Sequence, residues 1–323
     1  MRKEMFSEKG SWYKGNLHSH TTNSDGRLTP EQAVALYKQY GYHFACFSEH
    51  DYYTDLREQF DCENFILLPG VEASALLVNK EKNAMIKTHH IHGILGNREM
   101  QEAAKNNLLQ HGERLNPPIY VDEWDGLTVA QKLSDSLRAR GCFTTYNHPI
   151  WSRVEMEEVS ALKDIWAIEV YNYGTVVECG EGYDSVFWDA MLRKGTHIHG
   201  FASDDNHNPG KFFDSFGGYV MVKAKELSHE AIVNQLLAGN YYFTAGPRIH
   251  QWGMDGNKIF VECSEVEKIN FIVGGYIGRS ETILKHEDLL TGGIHVLKGD
   301  EKYVRVECVD SKGRVAWTNV LWL

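Results

Sequence analysis

Histidines and acids recur beside short apolar runs throughout this sequence of 323 residues, which contains 16 histidines. Imidazole is the commonest metal ligand in proteins. Residues two apart in an extended segment project from the same face, so His18 and His20 can converge on one ion. Because further histidines and acids come from separate strand ends, we predict a multinuclear metal site. These further residues are Asp25, His50, Glu72, His148, Asp205 and His207.

The segment His89-His90-Ile91-His92 offers one or two more ligands. His90 and His92 share one face of an extended segment, whereas His89 points the opposite way. One or both of the pair could therefore bind metal, and we favour His90.

The elements that must position these residues alternate between strands and helices. Residues 44–47 and 142–146 are short apolar runs, which are typical of buried parallel strands. Thr29 is a predicted helix N-cap, because Pro30 suits the first helical position and apolar residues then recur at helical spacing. This alternation predicts βαβ units in a parallel sheet or barrel, whose reactive groups gather at the carboxyl ends of the strands.

The pattern changes in the last part of the chain. Apolar residues there alternate along the sequence, as Val304, Val306 and Cys308 do, which is typical of antiparallel strands. We therefore predict an α/β domain over residues 1–247 and a small β-rich domain over residues 248–323. The second domain offers no catalytic cluster of its own.

Composition excludes several classes of protein. The chain has 33 Lys and Arg against 44 Asp and Glu, a net charge of −11, which disfavours long nucleic acid and anionic membrane surfaces as partners. With 42% hydrophobic and 12% aromatic residues, the chain can bury a large core and is not expected to be disordered.

Other sequence signals are missing. The six cysteines are scattered and form no C-x-x-C pair, so we expect buried thiols. Residues 1–15 are charged and no run of 18 apolar residues occurs, so neither a signal peptide nor a membrane-spanning helix is expected, and the cytoplasm is the expected location. The sequence also lacks the G-x-S-x-G elbow, the P-loop and the dinucleotide fingerprint.

Five ordered motifs resemble the PHP (polymerase and histidinol phosphatase) family of metal-dependent phosphoesterases. They are Leu-His-Ser-His-Thr at 17–21 with Ser-Asp-Gly at 24–26, Glu-His-Asp at 49–51, Gly-Val-Glu at 70–72, Asn-His-Pro at 147–149 and Ser-Asp-Asp-Asn-His at 203–207. Within that family, further segments look like the branch that includes the CehA/McbA-type metallohydrolases. These segments are 168–172, 188–189, 243–247 and 316–319.

The resemblance implies a distorted (β/α)7 barrel of the PHP type over residues 1–247, with two or three divalent metal ions at its mouth. It implies that one ion is held by His18, His20, Glu72 and Asp205. It further implies that Glu72 bridges to a second ion bound by His148 with His90 or His92, and that a third is bound by Asp25, His50 and His207. Mixed imidazole and carboxylate ligands suit Mn²⁺, Zn²⁺ or Fe²⁺.

The expected function is that of a metal-dependent phosphatase or phosphodiesterase acting on a small phosphorylated metabolite or nucleotide. Clustered metals lower the pKa of a bridging water, so hydroxide is the expected nucleophile. His50 or His207 could assist proton transfer where metal does not fully occupy them. Arg153, Lys211 and Arg248 are candidate phosphate clamps, although each could equally be a solvated surface residue.

Two alternatives remain at the level of sequence. The same site could hydrolyse a carboxylic ester, carbamate or amide, as the CehA/McbA resemblance allows. The fold could also serve as a non-catalytic binding module, although every motif retains its histidine or acid. Sequence gives no basis for predicting the oligomeric state.

Overall fold

The structure is a computed structural model that describes residues 2–7, 9–115, 119–120 and 124–323. Its helices are α1 (Pro30–Gln39), α2 (Arg57–Phe60), α3 (Arg98–Ala104), α4 (Gly126–Arg138), α5 (Met156–Ser160), α6 (Tyr173–Cys179), α7 (Ser185–Arg193) and α8 (His229–Leu237), with a 3-10 helix at Lys105–Asn107. Its strands are β1 (Arg2–Glu4), β2 (Ser11–Asn16), β3 (Phe44–Phe47), β4 (Ile66–Asn79), β5 (Ala84–Leu95), β6 (Ile119–Tyr120), β7 (Cys142–Tyr146), β8 (Ala167–Asn172), β9 (His199–Ser203), β10 (Tyr219–Ala224), β11 (Tyr241–Thr244), β12 (Ile249–Asp255), β13 (Lys258–Val266), β14 (Lys268–Gly274), β15 (Glu281–Leu284), β16 (Leu290–Val296), β17 (Tyr303–Val309), β18 (Val315–Thr318) and β19 (Leu321–Trp322).

Seven strands of the larger sheet carry the candidate site. They are neighbours in the order β2, β3, β4, β5, β7, β8 and β9. Most adjacent pairs are parallel, as predicted, but β5 runs antiparallel to both β4 and β7. Only residues 80–83 connect β4 to β5, and a parallel crossover needs a connection of about a dozen residues or more. The prediction of a parallel sheet is therefore wrong at this hairpin.

Backbone hydrogen bonds link the chain beyond β2 to the chain beyond β9. The Asp205 amide donates to the His18 carbonyl over 2.9 Å, and the His20 amide donates to the Asn206 carbonyl over 3.2 Å. Ser19 and Asn206 form a parallel bridge between these bonds. The carboxyl ends of two strands that are distant in sequence thus lie side by side.

Helix α1 begins where the sequence predicts. The Thr29 side chain accepts a hydrogen bond from the Gln32 amide, and the Gln32 side chain accepts one from the Thr29 amide, which together form a capping box. The helix buries Ala33, Val34 and Tyr37 against β3 and its neighbours. It ends before Gly41, whose φ of 72° is readily adopted only by glycine.

The last part of the chain is antiparallel, as predicted. Strands β1, β12, β13 and β16 form a separate four-stranded antiparallel sheet, while β14, β17 and β18 extend the larger sheet through β11. The molecule is therefore a mixed α/β structure with a large sheet and a separate antiparallel sheet. The strand β1 comes from the start of the chain, and the domain boundary at residue 247 stays a prediction.

Arg305 on β17 joins the C-terminal strands to α7. Its side chain is 2% exposed and donates to Asp189 over 2.8 Å and to Glu307 over 2.6 Å. The guanidinium carbon lies 4.7 Å from the centre of the Trp188 ring, which adds a cation–π contact. Two carboxylates and an aromatic face thus compensate the burial of one charge.

The helices and the cysteines bear on two further predictions. Among the described residues, no helix combines the length and the apolar character needed to cross a membrane. A cytoplasmic location stays a prediction. Four of the six cysteines are buried free thiols, but Cys62 and Cys179 are exposed, so the prediction of buried thiols is wrong for these two.

We predict that Arg305→Met lowers the free energy of unfolding by about 3 kcal/mol, because Asp189 and Glu307 lose their buried partner. Urea denaturation measures this change. The matched control is Arg279→Met, which removes a more open pair with Asp300 at 2.7 Å and should cost much less than Arg305→Met. Equal losses in the two variants would show that Arg305 does not secure the packing on α7.

Candidate metal centre

Glu72 lies at the centre of the candidate site. It is fully buried within β4, and its Oε1 atom lies 3.2 Å from Nε2 of His18, 3.4 Å from Nδ1 of His90 and 3.4 Å from Nε2 of His148. Asn147 donates to the same oxygen over 2.7 Å. Burial alone would raise the pKa of Glu72, but His90 and His18 outweigh it and hold this pKa well below its ordinary value. Glu72 is therefore an ionised, multiply shared acceptor.

Asp205 lies in the loop after β9, beside His18 and His20. Its Oδ1 atom lies 3.0 Å from Nε2 of His18 and 3.1 Å from Nε2 of His20, and these two nitrogens are 3.2 Å apart. Burial alone would raise the pKa of Asp205, but His18, His20 and His148 hold it well below its ordinary value. Two imidazole nitrogens and a carboxylate oxygen at these distances resemble part of a metal coordination shell.

Asp25, His50 and His207 form an outer group at the mouth of the site. Nε2 of His207 lies 3.3 Å from Oδ1 of Asp25, and Nε2 of His50 lies 3.7 Å from Oδ2. Burial lowers the pKa of His207, but Asp25 and Asp205 outweigh burial and raise it to about 9. Nδ1 of His50 also lies 3.1 Å from Oε2 of Glu72, so His50 connects the outer group to the buried one.

Two site residues have a left-handed backbone. The φ angle is 26° at His148 and 50° at Asp205, and each residue lies two positions beyond a strand. For a residue other than glycine, such a conformation costs about 1–3 kcal/mol and persists only where its surroundings enforce it. At both positions the chain turns as it leaves the strand, and the side chain contacts Glu72 or His18.

The segment after Thr88 separates its histidines between two faces of β5, as predicted. Nδ1 of His90 lies 3.4 Å from Oε1 of Glu72, and Nε2 of His92 lies 3.8 Å from the same oxygen. His89 points away, hydrogen-bonds the hydroxyl of Tyr146 and stacks on Trp124. Both members of the predicted pair are buried beside Glu72, and His90 is the nearer.

Glu169 on β8 supports the site, and the sequence analysis did not single it out as a site residue. It is fully buried, and its Oε1 atom lies 3.0 Å from Nδ1 of His18. Its Oε2 atom accepts from the His148 amide over 3.0 Å and from Asn172 over 2.9 Å. A carboxylate on one imidazole nitrogen leaves the other nitrogen free to bind metal, an arrangement common around protein metal ions. The one signal in the sequence is an acid inside an otherwise apolar strand.

Glu49 shapes the loop that carries Asp25. This buried carboxylate accepts from the Thr21 amide over 3.0 Å and from the Ser24 hydroxyl over 2.6 Å. The loop therefore folds back on the end of β3, and Asp25 is brought to the mouth of the site.

Asp204 and Asp214 shape the loop that carries His207. Asp204 accepts from the backbone amides of residues 216–218 at 2.8–2.9 Å, and Asp214 accepts from those of residues 207–208 at 2.8–3.2 Å. Burial raises the pKa of Asp204 to about 7, although its three backbone donors act in the opposite direction. Each carboxylate fixes one end of the same loop.

The residues present fit divalent cations. Several buried polar atoms here lie near other ligand-type atoms but form no hydrogen bond of good geometry with any described residue, which is costly unless something else satisfies them. They are Oε2 of Glu72, Oδ1 of Asp205, Nδ1 of His90 and both ring nitrogens of His92. Among the described residues, four groups could hold an ion: His18, His20, Glu72 and Asp205; His20, Asp25, His50 and His207; His50, Glu72 and His90; and His18, His148 and Glu169.

These groups match the implied ligand sets in part. The first group is the set implied for one ion, and the second contains the set implied for the outer ion. His90 and His148 fall into different groups, with His50 and Glu72 for His90 and with His18 and Glu169 for His148.

A cavity of about 450 Å³ opens beside these residues. Lys211 lines it, as does Arg27, a cation that the sequence analysis did not single out. The Arg27 amide donates to the His207 carbonyl over 2.9 Å, so this residue is fixed next to the outer group. Arg153 and Arg248 do not line this cavity, because Arg153 pairs with Glu181 on another surface and Arg248 is exposed on the approach to β12.

Comparison with models of known protein families and with curated proteins found no match to this chain. Among solved structures, a two-domain protein from Bacteroides vulgatus described as containing a predicted PHP-like metal-dependent phosphoesterase is similar over 96% of this chain and 95% of its own, at 14% identity and a TM-score of 0.44. A metal-dependent phosphoesterase, so described, from Bifidobacterium adolescentis is similar over 62% and 89%, at 15% identity and a TM-score of 0.41. An amidohydrolase from Chromobacterium violaceum, with bound sulfate and no metal, is similar over 70% and 96%, at 16% identity and a TM-score of 0.43.

We predict that Glu72→Gln removes at least one equivalent of bound metal, because the change deletes a negative charge that several histidines share. Elemental analysis of the purified protein measures the loss. The matched control is Glu262→Gln, whose side chain is 56% exposed on β13. Unchanged metal content in Glu72→Gln would exclude this carboxylate as a ligand.

We predict that Glu169→Gln weakens metal affinity by about 10- to 100-fold, because His18 loses the carboxylate that orients its ring. Competition with a chromophoric chelator measures the affinity, and the unfolding midpoint of the metal-free protein reports any structural damage. A metal affinity equal to that of the unmodified protein would show that Glu169 does not support metal binding through His18.

Proposed function

We propose that this chain is a PHP-type metal-dependent hydrolase that acts on a small phosphorylated molecule. One observation carries the proposal: histidines and carboxylates from several strands and the loops that follow them surround Glu72 and Asp205, beside a cavity that Arg27 and Lys211 also line. Cations opposite such a site favour a substrate with several negative oxygens. The net charge of −11 makes long nucleic acid a poor partner.

The proposed ligands are residues that the sequence motifs predict and that lie close together in the structure. His18, His20, Glu72 and Asp205 hold one ion, and the outer residues Asp25, His50 and His207 hold another. His90 and His148, with His92 beside them, complete the buried side of the site, where a further ion can be held. The proposed ions are Mn²⁺, Zn²⁺ or Fe²⁺. Such ions lower the pKa of water and neutralise charge that develops on phosphate oxygens.

The chain's own residues bind and orient the substrate. Lys211 and Arg27 attract phosphate oxygens, and the burial of Glu72 and Asp205 keeps water from competing for the inner histidines. His50 and His207 have side chains 29% and 28% exposed, so each can exchange protons with the cavity. Where only the inner ions are bound, Asp25 favours the protonated form of His207, which can then give its proton to the leaving oxygen.

The proposed architecture is a distorted seven-stranded barrel of the PHP type. The hydrogen bonds from Asp205 to His18 and from His20 to Asn206 support it, because they join the two outer strands of the series that carries the site. Assignment to the CehA/McbA-type branch, and to a domain ending at residue 247, belongs to the same proposal and rests on the sequence motifs alone.

We expect protein purified without added metal to release p-nitrophenol from p-nitrophenyl phosphate or bis-p-nitrophenyl phosphate, to lose this activity with EDTA and to regain it with Mn²⁺. Arg27→Gln and Lys211→Gln should each raise KM about tenfold, with metal content unchanged, because each removes a charge-assisted contact. Initial rates and elemental analysis measure these effects.

The matched control is Arg248→Gln, an exposed cation outside the cavity, which should leave KM unchanged. Cleavage of p-nitrophenyl acetate without cleavage of either phosphate ester would contradict the proposal and favour an ester hydrolase. Bound metal without hydrolysis of any of the three esters would contradict it as well and favour a binding module.

A further inference from the structure

Trp151 lines two cavities. One is the metal cavity of about 450 Å³, and the other is a neighbouring cavity of about 270 Å³. The Trp151 ring centre lies 5.0 Å from that of His148 and 5.9 Å from that of His90. A group attached to a phosphate beside these histidines would therefore meet the indole ring first.

The second cavity offers apolar surface beyond Trp151. Met85 and Ile86, at the start of β5, both line it and are 50% and 46% exposed. Adjacent large apolar side chains exposed beside an aromatic ring form a surface that gains from being covered.

The charged residues around this cavity are already paired. Nζ of Lys87 lies 3.1 Å from Glu155 and 3.5 Å from Glu158, and the Arg153 guanidinium lies 2.9 Å from Glu181. Because each cation has a carboxylate partner, the cavity does not select a charged group. It differs in this respect from the metal cavity, where Arg27 and Lys211 have no carboxylate within ion-pair distance among the described residues.

We propose that the second cavity binds an apolar group of the substrate, while the phosphate lies in the metal cavity and Trp151 separates the two. This inference rests on the proposed function and gives it a substrate class, namely phosphoesters of apolar alkyl or aryl alcohols. Met85 and Ile86 are the specificity-determining residues, because they cover the end of the group farthest from the metal site.

Binding of alkylphosphonates tests this inference without requiring turnover, because their C–P bond is not an ester. Calorimetry of the Mn²⁺-loaded protein with ethyl-, butyl- and hexylphosphonate should show Kd falling on the order of a hundredfold from the shortest to the longest, since each added methylene leaves water. The double variant Met85→Ser, Ile86→Ser should bind all three with nearly the Kd of the ethyl compound. Both side chains are exposed, so their replacement leaves the core intact.

The matched control is Ile294→Ser, Val296→Ser on β16, whose side chains are 56% and 48% exposed and line neither cavity. It should retain the full dependence on chain length. A Kd independent of chain length, retention of the dependence in the Met85/Ile86 variant, or absence of phosphonate binding would each overturn the inference.

Hydrolysis of the corresponding alkyl phosphates separates this inference from the proposed function. If Kd depends on chain length, this dependence is lost in the Met85/Ile86 variant and no phosphate is released, the apolar subsite is supported and the hydrolase is contradicted. Phosphate release at a rate independent of chain length, together with a constant Kd, would support the hydrolase and overturn the subsite.

Discussion

The rest of the site depends on two carboxylates, Glu72 and Asp205, that are buried among imidazoles. Ring nitrogens of His18 and His20 lie 3.2 Å apart with Asp205 beside both, and nearby nitrogen and oxygen atoms form no hydrogen bond of good geometry among the described residues. Burying unpaired polar atoms at this density is costly in the absence of cations. In the proposed function, divalent cations between these groups remove the penalty and supply the electrostatics that hydrolysis of a phosphoester needs.

Much of the surrounding structure serves to hold this cluster in place. Glu169 orients His18, Glu49 fixes the loop of Asp25, and Asp204 with Asp214 fixes both ends of the loop that carries His207. The supports are themselves carboxylates, each satisfied by backbone amides or hydroxyls. Buried carboxylates of this acidic chain thus have two proposed roles: some bind metal, and others position the segments that bear the ligands.

How far sequence predicts this molecule depends on the range of the interactions. The Thr29 cap and the alternation of strands and helices are local, and local spacing predicts them. The antiparallel direction of β5 follows from a four-residue connection (residues 80–83), which becomes evident only once both strand ends are known. Glu169 contacts His18, which is 151 positions away in sequence, and Arg27 lines the cavity because of how its loop folds. Neither role can therefore be predicted from residues nearby in sequence.

Anomalous X-ray scattering from crystals of the Mn²⁺-loaded protein would test the central claim most directly, because it locates ions without assuming any activity. The account predicts at least two peaks, one enclosed by His18, His20, Glu72 and Asp205 and one between Asp25, His50 and His207. Crystals soaked in Mn²⁺ that show no peak within coordination distance of Glu72 or Asp205 would contradict it. The buried imidazoles would then need another explanation.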